Sequence, residues 1–360
     1  MPSARKLGLV GAALGVLTAG TGAAVAVASR RAGAQRRAPE PDAVTEARFG
    51  ALRADRSYTV VADDGIRLHV EEVGPLDAER VVIFVHGYTL ALGSWHFQRL
   101  ALARPGLRLV FYDLRSHGRS ERASADSCEL DQLGHDLAAV LGVAAGDRPT
   151  VLVGHSMGGM TIMAMAEQFP DLFGGQVTGV ALLSTTTGGL ADVDLGLPRV
   201  LAPLKLVMLP MLARGMRARP RLAEFTRRTG SDLSWWLTKS YSFGNPAVSP
   251  ALVDYVGELI AATPVEVIAD FFATLMGHDT VRSLPALSGV DTLIVCGEAD
   301  RLTPLAHSRA MKDALPAARL VVVPGAGHLA MMEQPDPVND ALRTLLDRLA
   351  GSTVNRNRRA

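Results

Sequence analysis

Apolar and polar positions follow two different rhythms along this chain. Tyr58–Val61 and Ile66–Glu72 alternate as half-buried strands do, and Asp63-Asp64-Gly65 between them is a hairpin signal. Val81–Val85 is instead a continuous apolar run, which predicts a strand covered on both faces. Further strands are predicted at Leu107–Tyr112, Thr150–Val153, Val177–Leu183, Thr292–Cys296 and Leu320–Val323. Helical patterning falls between or after them, over Leu130–Leu141, Met157–Phe169, Pro304–Leu315 and Pro337–Leu349. Strands alternating with helices at this spacing predict a parallel sheet wrapped by helices.

The alternation stops between Ser184 and Ser283. Leu, Met, Pro and Arg dominate there, with helical patterning around Ser231–Ser240 and Pro250–Leu275. Because both ends feed back into the sheet pattern, the stretch reads as a cap inserted into one domain of residues 57–350, about 184–283. From Gly196 to Arg228 it carries eight basic residues and one acidic one, Glu224, among many Leu and Met. That mixture suits an anionic lipid surface, but Pro203 and Pro210 interrupt any long amphipathic helix, and a solvated face explains the charges equally well.

Before the domain, Leu7–Ala28 is a 22-residue stretch without a charge, flanked by Arg5-Lys6 and Arg30-Arg31. As a helix it would span roughly 33 Å, about a bilayer's hydrocarbon core, so residues 1–30 read as a membrane anchor. The rival is a secretory signal with Ala26-Val27-Ala28 at its cleavage site, and the side of the membrane stays open. Residues 31–56 read as a linker, and 351–360 as a polar, basic, frayed tail.

Composition narrows the chemistry. A net charge of +1 gives no global case for a nucleic-acid partner. Cys128 and Cys296 lie far apart with no histidine cluster beside them, so neither a metal site nor a disulfide is expected. No cofactor motif is present in the reading.

The chemistry concentrates at Gly154-His155-Ser156-Met157-Gly158. A G-x-S-x-G pattern arises by chance in a chain with 35 glycines, but this one stands between a predicted strand and a predicted helix. A serine at such a turn is held in a strained backbone and projects its hydroxyl, and the glycines leave room for the crossing chain. Acyl transfer by serine also needs a base and an acid to orient it. His328, in a glycine-rich loop after the last apolar strand, is the candidate base. Asp300 is the candidate acid, with Glu298 its nearest rival. The oxyanion hole requires two backbone N–H groups, assigned to Met157 and Tyr88. His86, His117 and His155 read as structural, and Asp279 after His278 as a helix start.

HGYTLALGSW, DLRSHGRS, GHSMGG, GEADRLTP and GAGHLAMMEQP together resemble the α/β-hydrolase superfamily, in particular its esterase, monoglyceride-lipase-like and cofactor-free haloperoxidase-like branch. The resemblance runs from about Tyr58 to Leu349 and implies the α/β-hydrolase fold, an eight-stranded, mostly parallel sheet. It implies Ser156 as nucleophile, Asp300 as acid, His328 as base, and Tyr88 and Met157 as oxyanion donors. The expected activity is hydrolysis of apolar or lipid-like carboxylic esters; thioesterase or carbon–carbon hydrolase chemistry would use the same groups. The contrasting expectation is a non-enzymatic member of the fold that binds a hydrophobic ligand under its cap.

Overall fold

The computed structural model describes residues 49–193, 215, 218 and 231–357. The predicted anchor at 7–28 and the basic stretch 196–228, apart from positions 215 and 218, lie outside the described residues. Among the described residues no single helix is long and apolar enough to cross a membrane.

Eight strands form one sheet: β1 Arg56–Val61, β2 Arg67–Val73, β3 Arg80–Val85, β4 Leu107–Tyr112, β5 Thr150–His155, β6 Val177–Leu183, β7 Asp291–Gly297 and β8 Arg319–Val323. Their order is β1-β2-β4-β3-β5-β6-β7-β8. Strand β2 runs antiparallel to both its neighbours, and every other pairing is parallel. The predicted α/β-hydrolase fold, an eight-stranded and mostly parallel sheet, is therefore the observed one.

Strands β3, β4 and β5 are buried at every position, which is why their sequences run apolar without alternating. Their side chains still alternate between faces. Val81, Ile83 and Val85 join the core beneath α2 (Leu130–Ala145) and α3 (Met157–Gln168), whereas Val82 and Phe84 join the opposite core. That second core lies under α1 (His96–Leu102) and the C-terminal helix, which supplies Leu342, Leu345 and Leu346. Both faces of the sheet are thus sealed, and chemistry is left to the loops at its rim.

Between β6 and β7 the chain forms α4 (Ser231–Ser242), α5 (Pro250–Ala262) and α6 (Val265–Gly277). The helical pattern over Pro250–Leu275 is two helices rather than one, bent by 89°. Pro264, which cannot donate a backbone hydrogen bond, supplies the break, standing immediately before α6. The two ends of the excursion meet at the sheet: Gly188 bridges Asp279, and the Thr280 N–H donates to the Thr187 oxygen at 2.8 Å. Helix α7 (Leu305–Ala314) follows β7, and α8 (Pro335–Asn357) closes the chain, running past Gly351. Phe49, just ahead of β1, stacks on Tyr255 of α5 with ring centroids 5.1 Å apart.

Candidate active site

The turn from β5 into α3 is as tight as its glycines demand. A Cβ at Gly154 would stand 2.5 Å from the Gly158 oxygen, and one at Gly158 only 2.1 Å from the Val85 oxygen. Ser156 between them has φ 52 and ψ −119, a conformation that L-residues rarely hold. Two bonds over-determine it: its N–H donates to Leu183 O at 2.9 Å, and its carbonyl accepts from the Thr185 hydroxyl at 2.7 Å. Ser156 stays partly exposed while its neighbours are buried, so the strain leaves its side chain at the surface of the turn.

The loops after β7 and β8 meet through their backbones. Glu298 N donates to Val323 O at 3.0 Å and Ala299 N to Ala326 O at 2.8 Å. Gly297 permits this approach, since a Cβ there would fall 2.2 Å from the Gly327 oxygen. The juncture brings Asp300 and His328 together, both buried, with His328 Nδ1 2.9 Å from Asp300 Oδ2 and 3.1 Å from Oδ1. Asp300 also accepts from the N–H groups of Leu302 and Thr303 and from the Thr303 hydroxyl, each at 2.9 Å. Burial raises the cost of its charge, but His328 and these donors outweigh that cost and hold the carboxyl below the usual carboxylate range. A carboxylate accepting at Nδ1 fixes the imidazole proton there and leaves the Nε2 lone pair free. The rival Glu298 points elsewhere: it is exposed and accepts from Gly325 N at 3.0 Å.

His155 links the two halves. Its ring lies 4.8 Å from that of His328, and its Nε2 donates to the His328 carbonyl at 3.0 Å. The expectation that His155 only packs on the far side of the turn is thus too modest, because it holds the His328 loop. Burial pushes its pKa down to about 3, so it is neutral.

Two further histidines set the loop after β3. His86 Nδ1 donates to Gly87 O at 2.8 Å while its Nε2 accepts from Leu114 N at 2.9 Å. His117 Nε2 accepts from Thr89 N at 3.3 Å, and its Nδ1 donates to Arg115 O at 2.9 Å. The peptides on both sides of Tyr88 are therefore fixed. Because N–H and C=O oppose each other in a trans peptide, the Tyr88 N–H points away from His86. Among the described residues neither it nor the Met157 N–H, at the first position of α3, has a partner. The Gly87 side of this loop faces the elbow, where a Cβ would stand 3.2 Å from Ser156 Cβ. Burial depresses His86 to about 4 and His117 to about 3, consistent with neutral, structural rings.

The profile of the alpha/beta hydrolase family matches residues 82–341, most of the chain and every loop just described. The chain belongs to the alpha/beta hydrolase family. This hydrolase is 27% identical over 284 residues to a monoacylglycerol lipase of Mycolicibacterium smegmatis, covering 77% of this chain and 91% of that one. It is 26% identical to a non-heme haloperoxidase of Rhodococcus erythropolis, over 80% of this chain and 98% of the other. Among solved structures it resembles a thermophilic esterase from Thermogutta terrifontis, with a TM-score of 0.61, 26% identity, and 81% and 98% of the two chains covered.

Thr185, Thr303 and His155 were not singled out from the sequence of this hydrolase as parts of the site. For Thr303 a signal existed: a threonine three residues after Asp300 is a turn-capping spacing, and the helix-cap role and the acid role fall on one carboxylate. Thr185 carries no local signal, since only the pairing of β5 with β6 brings it to Ser156.

Proposed function

We propose that this chain is a serine hydrolase that cleaves carboxylic esters of apolar, lipid-like substrates through an acyl-enzyme. The observation that carries the reading is the buried His328–Asp300 pair, 2.9 Å apart, tied through His155 to a serine in a strained elbow. In this scheme His328 Nε2 removes the Ser156 proton as the hydroxyl oxygen attacks the ester carbonyl. Asp300, kept ionised, stabilises the imidazolium that forms. The Met157 and Tyr88 N–H groups receive the oxyanion, and Met157 does so at a helix N-terminus where partial positive charge accumulates. His328 then returns the proton to the departing alkoxide, and water repeats the sequence to release the acid. Every group the cycle requires comes from the polypeptide.

The lipid-like preference draws support from the relatives named as a monoacylglycerol lipase and an esterase. The apolar helices α5 and α6 beside the Tyr88 loop support it as well. Membrane attachment through residues 7–28 would bring such substrates to the enzyme. Turnover of p-nitrophenyl esters of graded chain length tests the class: activity should rise beyond acetate and disappear in Ser156→Ala. Full activity in that variant would refute the scheme.

A further inference from the structure

Glu333 is used by none of the steps above, yet its carboxylate is the most heavily engaged acceptor beside the His328 loop. It ends the one-turn helix Ala330–Glu333 that follows His328, and reaches back to accept from Gly327 N at 2.7 Å. The same group accepts from Gly244 N at 3.0 Å through both oxygens and from Asn245 N at 2.5 Å. Gly244 and Asn245 belong to the connection between α4 and α5, far from His328 in sequence. That connection lies backbone to backbone on the His328 loop. Leu329 N donates to Ser242 O at 2.9 Å, and a Cβ at Gly244 would stand 2.2 Å from the Gly325 oxygen. A Cβ at Gly327 would stand 2.5 Å from Gly244 N.

The geometry points to Glu333 as a positioning residue: its carboxylate clamps the α4–α5 connection to the residue preceding His328, so that seating of the insertion and placement of the base are one event. The inference rests on the serine-hydrolase reading for its effect on rate, but not for the coupling itself. A charged acceptor with three backbone donors is strong because each bond is charge-assisted. It is also shared: neither partner segment can leave without stripping acceptors from the other. No apolar contact of similar area would impose that condition, since dispersion is non-directional.

The test uses the full chain and three variants. Glu333→Gln is near-isosteric but turns one oxygen into a donor, so it cannot accept from both segments. Glu333→Ala removes the clamp. Asn245→Pro deletes one donor on the insertion side and leaves the His328 loop untouched. Amide exchange is read on peptides covering 242–246 and 325–329, and covalent labelling of Ser156 by a fluorophosphonate is timed in parallel. Both peptides should exchange faster together in each variant, Asn245→Pro included. Labelling and kcat for a short ester should fall by about tenfold in Glu333→Gln and further in Glu333→Ala, with KM nearly unchanged. Faster exchange confined to one peptide would overturn the coupling, as would unchanged labelling in a folded Glu333→Gln. A wild-type chain that is not labelled at Ser156 would refute the serine reading instead, and the exchange results would still decide the coupling.

Discussion

The Nε2 of His155 donates to the main-chain oxygen of His328 across 3.0 Å, so the residue before the candidate nucleophile holds the residue proposed as its base. The bond is buried, and burial makes the loss of one partner costly. Replacing His155 with Phe keeps a planar ring but leaves the His328 carbonyl without its donor. Equilibrium denaturation should show a loss of about 1–3 kcal/mol. A variant as stable as wild type would mean that the bond contributes nothing.

Asp300→Asn tests the acid separately from the fold. The amide oxygen can still accept from Leu302 and Thr303, so stability should change little. The charge that favours the imidazolium is gone, and the tautomer is no longer imposed. Ester turnover should fall by about a thousandfold to ten-thousandfold. A fall of less than tenfold would point to another acid.

The strain at Ser156 predicts a gain on relaxation. Its φ of 52 suits glycine far better than any residue with a Cβ. Ser156→Gly should therefore be inactive, yet no less stable than Ser156→Ala and more stable by up to about 1 kcal/mol. Equal or lower melting temperature for the glycine variant would argue against stored strain.

Acid should destabilise this protein through three neutral imidazoles. Burial depresses His86 to about 4 and His117 and His155 to about 3, against about 6.5 when unfolded. Below pH 6.5 the unfolded chain binds protons that the folded chain refuses, so the stability these groups contribute is complete above that pH. It is lost progressively as pH falls toward 3–4. Each imidazole can account for up to about 1.4 kcal/mol per pH unit in that window. Melting curves between pH 7 and pH 4 should show the slope, shallower in His117→Gln. A flat profile would mean that these rings charge without cost.

Much of this arrangement was legible before any coordinates. The strands show as apolar runs because β3, β4 and β5 are buried on both faces, and the elbow shows because only glycine fits at positions 154 and 158. Choosing Asp300 over Glu298 was less secure, since both follow β7 within two residues of each other. What decides between them is the crossing of two loop backbones at Gly297 and Gly327, a contact between segments separated in sequence. The contributions of Thr185, His155 and Glu333 stayed hidden for the same reason. Each acts through a hydrogen bond to main chain brought near by strand pairing or by the insertion, and a backbone acceptor or donor leaves no mark on residue identity. The break at Pro264 is different: the proline is visible, but the apolar pattern runs through it undisturbed.

The proposal that Ser156 is an activated nucleophile is tested most directly by covalent labelling with a fluorophosphonate, followed by mass-spectrometric mapping of the adduct. The adduct should sit on Ser156, within the peptide carrying GHSMGG, and should be absent from Ser156→Ala and strongly slowed in a folded His328→Gln. Labelling that spares Ser156 in the intact protein, or proceeds at an unchanged rate without His328, would contradict the proposal.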